Sequence, residues 1–141
     1  MAEIERNDTD QSVTAQQRVQ WRIDPQKRIV YLTFLENPTL LEVMSILSEI
    51  FAHPDYQSDY GFLADRRKVG PPTTDYMKGA TEVARHHKAQ LQGPWATVVT
   101  GLTSYGMARM GEILAEPIGI QERVFTDLAE AEVWLTGKRP S

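Results

Sequence analysis

Residues 93–104 of the chain read GPWATVVTGLTS, and this stretch decides the fold class. Its opening glycine and proline stop a preceding helix, because glycine tolerates the position after the last turn and proline cannot continue the helix. The following WATVVT (95–100) is the most strand-like segment of the chain. Thr103 or Ser104 then caps another helix. A helix, a strand and a second helix in succession predict an α/β fold.

The same alternation continues upstream of this stretch. Residues 18–23 (RVQWRI) and 28–35 (RIVYLTFL) predict a β-hairpin, and residues 61–65 (GFLAD) predict a third strand. A helix is predicted from Asn37 as N-cap and Pro38 as first residue to the His53-Pro54 break. Thr73 and Thr74 are the predicted caps of a long helix that runs to Gln92.

Downstream, residues 121–125 (QERVF) predict a short strand, and Asp127 with Glu130 predicts the start of a last helix that ends at Gly137. The predicted order is therefore an opening β-hairpin followed by alternating helices and strands. This order predicts a mixed sheet of about five strands flanked by four helices, in one domain over residues 17–138.

Composition excludes several classes of protein. The chain has 141 residues, 15 Lys and Arg against 19 Asp and Glu, a net charge of −4, and no cysteine. The acidic balance argues against a nucleic-acid partner, which normally needs a basic face. The missing cysteines exclude disulfides, zinc thiolates and a cysteine nucleophile.

The two ends of the chain contain few apolar side chains that could be buried in a core. Residues 1–16 are polar and acidic, which predicts a flexible N-terminal tail, and residues 139–141 form a short C-terminal tail. No signal peptide and no transmembrane segment is recognisable, so a cytoplasmic location is predicted.

Motifs for common chemistries are missing. His86 and His87 are adjacent on a helix and face different directions, and no H-x-x-x-H spacing exists, so no metal site is predicted. The chain also has no G-x-S-x-G elbow and no phosphate-binding glycine loop. We therefore expect no catalytic residues and no cofactor.

Ligands of open α/β sheets bind beyond the carboxyl ends of the strands. Three loops are expected to meet there: residues 36–37, 65–67 and 101–105. The candidate ligand- or partner-binding residues are Asp65, Arg66, Arg67, Thr103, Ser104 and Tyr105. Arg66, Arg67 and Lys68 form a small basic island, whose guanidinium groups suit an anion. The alternative is that Asp65 pairs with an arginine, Ser104 caps and Tyr105 packs.

Several short stretches resemble the SpoIIAA-like (STAS/SEC14-type) family of small bacterial domains. They are residues 53–56 (HPDY), 65–67 (DRR), 103–110 (TSYGMARM), 124–127 (VFTD) and 131–135 (AEVWL), and the resemblance covers about residues 18–137. It implies a mixed five-stranded sheet with helices, no cofactor and no established reaction. It also implies a homodimer, and edge strands of a small open sheet are compatible with one.

Related sigma-factor antagonists carry a phosphorylatable serine where the third strand passes into the next helix. This chain has no serine at the matching place, and Asp65 is followed by three basic residues. Thr73 and Thr74 are the weak alternative phosphosites, although both are more simply helix caps.

Three functions remain open. The first is a non-catalytic STAS-like regulatory or protein-interaction module. The second is a binder of a small amphipathic or lipid-like anion, held by Arg66 or Arg67, with a cleft lined by Met77, Met107, Met110, Tyr76, Tyr105 and Trp95. The third is an enzyme that uses Asp65 or a histidine as its base.

Overall fold

The computed structural model describes residues 17–137, in which strands and helices alternate after an opening hairpin. The strands are β1 (Val19–Asp24), β2 (Ile29–Phe34), β3 (Gly61–Asp65), β4 (Trp95–Val98) and β5 (Glu122–Phe125). The helices are α1 (Leu40–Ala52), α2 (Thr74–His86), α3 (Leu102–Ala115) and α4 (Leu128–Gly137), with 3-10 turns at Lys88–Gln90 and Glu116–Ile118. The predicted tails at residues 1–16 and 139–141 lie outside the described residues.

The five strands form one mixed sheet in which spatial order follows chain order, β1-β2-β3-β4-β5. The hairpin strands β1 and β2 are antiparallel, and Trp21 lies opposite Leu32. Strands β2 to β5 are parallel, so Tyr31 lies opposite Leu63 and Leu63 opposite Ala96. The predicted α/β class, with a mixed sheet of five strands and four helices, is confirmed for residues 17–137.

The two faces of the sheet are covered unequally. Right-handed crossovers that always step in the same direction put all their helices on one face. Helices α1, α2 and α3 accordingly share one face, against side chains such as Leu32, Phe34 and Ala64. Helix α4 alone covers the opposite face, where it packs on Leu63 and Ala96.

Two predicted helix starts are wrong. Helix α1 is capped by Thr39, in a capping box with Glu42, and not by Asn37. Helix α3 has Gly101 as its N-cap, at a φ of 92° that suits glycine, so Thr103 and Ser104 lie inside the first turn.

Other helix predictions agree with the structure, with one difference in length. Thr73 caps α2, and Asp127 accepts a hydrogen bond from the backbone N–H of Glu130 at the start of α4. Helix α2 ends at His86 rather than Gln92, because a 3-10 turn replaces its last part. No helix between residues 17 and 137 combines the length and apolar content needed to cross a membrane.

Candidate functional site

A cavity of about 190 Å³ lies between the sheet and helices α1, α2 and α3. Most of its wall is apolar, with contributions from Leu32 and Phe34 of β2, Leu47 of α1 and Met77 of α2. Its polar side chains include Arg66, Tyr76, Thr97, Ser104 and Glu122. The combination of apolar walls and a few polar groups is typical of small-molecule sites.

Arg66 is the buried cation of this wall. Side chains alternate along a strand, so the Phe62–Ala64–Arg66 series points to the three-helix face and carries Arg66 inward. Its side chain is only 9% exposed, and its guanidinium carbon lies 4.6 Å from the ring centre of Phe34. One guanidinium nitrogen donates to Oδ1 of Asn37.

Arg66 has no acidic partner among residues 17–137, where every ion pair involves other cations. Burial lowers the pKa of its guanidinium, while nearby Tyr76 raises it. Arginine nevertheless stays protonated in proteins. A buried positive charge without a carboxylate is unusual, since buried charges are normally paired.

Tyr76 stands next to Arg66 at this end of the cavity. Burial raises the pKa of its phenol, and the Arg66 charge opposes that rise. No residue between 17 and 137 forms a hydrogen bond with the Tyr76 hydroxyl, so this group is available to a ligand. Ser104, which is buried in the first turn of α3, adds a third polar group to the wall.

The neighbouring Arg67 lies on the other side of the strand and is neutralised. Its Nε and Nη2 donate to Oδ1 and Oδ2 of Asp65 at 2.9 and 2.8 Å. The Arg67 hydrogen bonds hold the pKa of Asp65 below its usual range. A general base works best with a pKa near the operating pH, so this pair does not favour Asp65 as one.

The predicted basic island is therefore split: Arg66 lines the cavity, whereas Arg67 is exposed and paired with Asp65. Two of the three predicted loops, residues 36–37 and 65–67, are in direct contact, and the third contributes Ser104 to the same cavity wall. Asn37 accepts from Arg66 and donates to the carbonyl of Gly70 at 3.2 Å, and the backbone N–H of Arg66 donates to the carbonyl of Val98 at 2.8 Å.

The other predicted site residues are dispersed. Thr103 is exposed, and Tyr105 is half-buried beside Arg109 on α3 rather than in the cavity wall. The Thr73 hydroxyl accepts from the backbone N–H of Tyr76 at 3.0 Å, which is the capping interaction, and Thr74 is the exposed first residue of α2.

Of the residues proposed to form an adaptable cleft, Met77, Tyr76 and Trp95 line the cavity. The histidines are apart from it: His87 packs against Phe51 with ring centres 5.5 Å apart, and His53 against Trp21 at 6.0 Å. No group of three metal-binding side chains is present in the part of the chain that the structure describes.

Glu122 is the site residue that the sequence analysis did not identify. It lines the cavity, and its Oε2 accepts a hydrogen bond from the Thr97 hydroxyl at 3.2 Å. The available signal was strand alternation, because Glu122 shares a face with the buried Val124 and must also point inward.

Burial raises the pKa of the Glu122 carboxyl to about 7, and the negative charge of Glu112 adds to the rise.

Comparison with known proteins identified no matching family model, no matching curated protein and no matching solved structure. The cavity and its side chains are therefore the basis for a functional conclusion.

Proposed function

We propose that this protein is a non-catalytic, STAS-like binding module that takes a small amphipathic anion into the cavity of its three-helix face. One observation carries the proposal: Arg66 is 9% exposed on the cavity wall and has no acidic partner among residues 17–137. A ligand anion would supply the missing charge, and charge-assisted hydrogen bonds to guanidinium are among the strongest in proteins.

The remaining wall defines the rest of the ligand. Apolar side chains from β2, α1 and α2 surround the space beside Arg66, so a hydrocarbon portion is favoured there. The free hydroxyl of Tyr76 is placed to donate to the same anionic head. A fatty-acid carboxylate is the simplest molecule with this combination of features.

A regulatory role fits the same site. The sequential five-strand order with an antiparallel first strand supports the STAS/SEC14-type resemblance, in which such domains act through partners rather than by catalysis. We propose that ligand occupancy is communicated to another protein at the carboxyl edge of the sheet, near Arg66 and Ser104. Homodimerisation and a cytoplasmic location stay predictions, and light scattering at micromolar concentration measures the former.

Binding of dodecanoate, followed by isothermal titration calorimetry, tests the proposal. Arg66→Met keeps an unbranched apolar stem but removes the guanidinium group, and we expect affinity to fall at least about tenfold. Arg67→Met is the matched control, because Arg67 is the adjacent arginine and lies outside the cavity; its affinity should stay within about twofold of the wild type.

Dodecanol keeps the hydrocarbon chain and lacks the anionic group. It should bind the wild type more weakly than dodecanoate does, whereas the two ligands should bind Arg66→Met with about equal affinity. Equal losses in the two arginine variants would contradict the proposed site. Absence of dodecanoate binding by the wild type, together with no co-purified acidic ligand in native mass spectrometry, would contradict the proposed function.

A further inference from the structure

The cavity has a second polar pole at Glu122, the first residue of β5. This side chain lies under helix α3, where Gly111 leaves room for it: a Cβ at Gly111 would stand 3.3 Å from Oε2 of Glu122 and 3.5 Å from Cε of Met77. A side chain on that turn of α3 would therefore crowd the carboxyl group. The absence of one keeps Glu122 on the cavity wall.

No cation offsets this carboxyl group within the described residues. Its Oε2 accepts from the Thr97 hydroxyl, and Oε1 has no hydrogen bond to residues 17–137. Its acidic neighbour Glu112 is already engaged, since it accepts from the backbone N–H of Val124 at 2.7 Å and pairs with Arg109 at 3.1 Å. Glu122 is thus a polar group with spare hydrogen-bonding capacity inside an apolar cavity.

Glu122 lies at the amino end of the parallel strands and Arg66 at their carboxyl end. Trp95 pairs with Glu122 at the start of β4, and Arg66 follows Asp65, which pairs with Val98 at the end of β4. Four residues of rise and two strand spacings separate their Cα atoms by about 16 Å. One end of the cavity is therefore cationic, and the other end carries a carboxyl and a hydroxyl group.

We infer that Glu122 and Thr97 form a second polar subsite, which binds a hydroxyl group at the far end of the amphipathic anion whose head is held by Arg66. This inference rests on the proposed function and adds the chemical class of its ligand, an ω-hydroxy acid. The length of the hydrocarbon between the two ends is then set by the distance between the two poles.

A hydroxyl group fits this subsite better than an ammonium group. Burial raises the pKa of Glu122 to about 7, so both its protonated and ionised forms exist near neutral pH. A hydroxyl donates to the ionised carboxylate and accepts from the protonated acid. An ammonium group finds a counter-charge only in the ionised form, and its own desolvation is costly.

Paired titrations of octanoate, decanoate and dodecanoate with their ω-hydroxy derivatives test the inference by calorimetry. We expect the ω-hydroxyl to tighten binding about fivefold at the chain length that spans the two poles. At the other lengths the hydroxyl is left without its partners, and binding should weaken instead. Failure of every ω-hydroxy acid to bind more tightly than its parent would overturn the inference.

Substitutions of Glu122 and Thr97 test whether these two residues cause the preference for ω-hydroxy acids. Glu122→Met removes the acceptor at similar size and should abolish the ω-hydroxyl preference. Thr97→Val should reduce the preference. Glu116→Met is the matched control, since Glu116 is exposed on the same connection between α3 and β5 and should keep the preference. A preference that survives in both Glu122→Met and Thr97→Val would also overturn the inference.

The test separates the two levels of the proposal. If the parent acids bind the wild type through Arg66 and their ω-hydroxy derivatives bind no better, the second subsite is wrong and the proposed function stands. If neither series binds the wild type, the proposed function itself is wrong.

Discussion

The two faces of the sheet differ in how closely their side chains pack and in how completely their polar groups are hydrogen-bonded. On the α4 face, Ile29, Leu63, Ala96, Val98, Ala131 and Leu135 are completely buried, and its polar groups are paired at the margin. There the Tyr31 hydroxyl donates to Glu132 at 2.5 Å, under the guanidinium of Arg22. The three-helix face instead encloses a cavity with Arg66, Tyr76 and Glu122 incompletely partnered.

This difference separates the side chains that hold the fold from those available for binding. Native cores are close-packed and their buried polar groups are satisfied, as on the α4 face. A face that departs from both rules loses packing and hydrogen-bond free energy, and functional sites are where such departures concentrate.

The largest expected difference comes from the same substitution placed on each face. Ala131→Leu forces extra volume into the sealed α4 face and should lower the free energy of unfolding by about 2 kcal/mol. Ala108→Leu extends into the cavity and should raise it by about 1 kcal/mol while blocking dodecanoate. Urea unfolding measures both, and equal destabilisation by the two variants would show that the cavity is not free to be filled.

The free energy of unfolding should depend on pH through Glu122. The pKa of Glu122 is raised from 4.5 to about 7 in the folded protein, so between these values the folded state holds a proton that the unfolded state has lost. Glu122 therefore stabilises the fold fully at low pH, and this contribution is lost as the pH rises through about 7. The slope is up to about 1.4 kcal/mol per pH unit.

Glu122→Gln should remove this slope from the pH dependence of the unfolding free energy, measured between about pH 5 and pH 7. Glu116→Gln, on an exposed side chain of the same connection, should leave it in place. An unchanged slope in Glu122→Gln would mean that Glu122 titrates as an ordinary surface carboxyl.

The smallest expected difference in the free energy of unfolding is between phenylalanine substitutions of two tyrosines, one on each face. Tyr31→Phe removes the hydrogen bond to Glu132, which is only partly buried, and should lower the free energy of unfolding by about 1 kcal/mol. Tyr76→Phe should change it by less than about 0.5 kcal/mol, since the Tyr76 hydroxyl has no partner among residues 17–137. Losses of equal size would indicate that the Tyr76 hydroxyl is already satisfied without ligand.

Local patterns were sufficient to predict the order of strands and helices. The β-branched run after Gly93-Pro94 forms β4, although this strand ends at Val98 rather than Thr100 and helix α2 ends earlier, at His86. The errors arose where a local rule competed with a distant contact. Asn37 is a good N-cap residue, but its side chain is used by Arg66 and by Gly70, 29 and 33 residues away, and Thr39 caps α1 instead.

The candidate site was predictable in part. The contact between the loops at residues 36–37 and 65–67 follows from the parallel sheet, and Arg66 was among the predicted residues. Arg66 and Arg67 were predicted together as one basic site, although strand alternation after Phe62 and Ala64 distinguishes them. Glu122 was missed because an acidic residue at the start of a short strand is usually exposed, and only its tertiary surroundings bury it.

Strand order also has a consequence for the order of assembly. Because each strand lies beside the strand that precedes it in the chain, the sheet grows by short-range closures, which favours rapid folding. Each new helix and strand can add to an existing edge as the chain leaves the ribosome. Helix α4 is the exception: its Glu132 must reach Tyr31, 101 residues away, so we expect its docking to complete the domain.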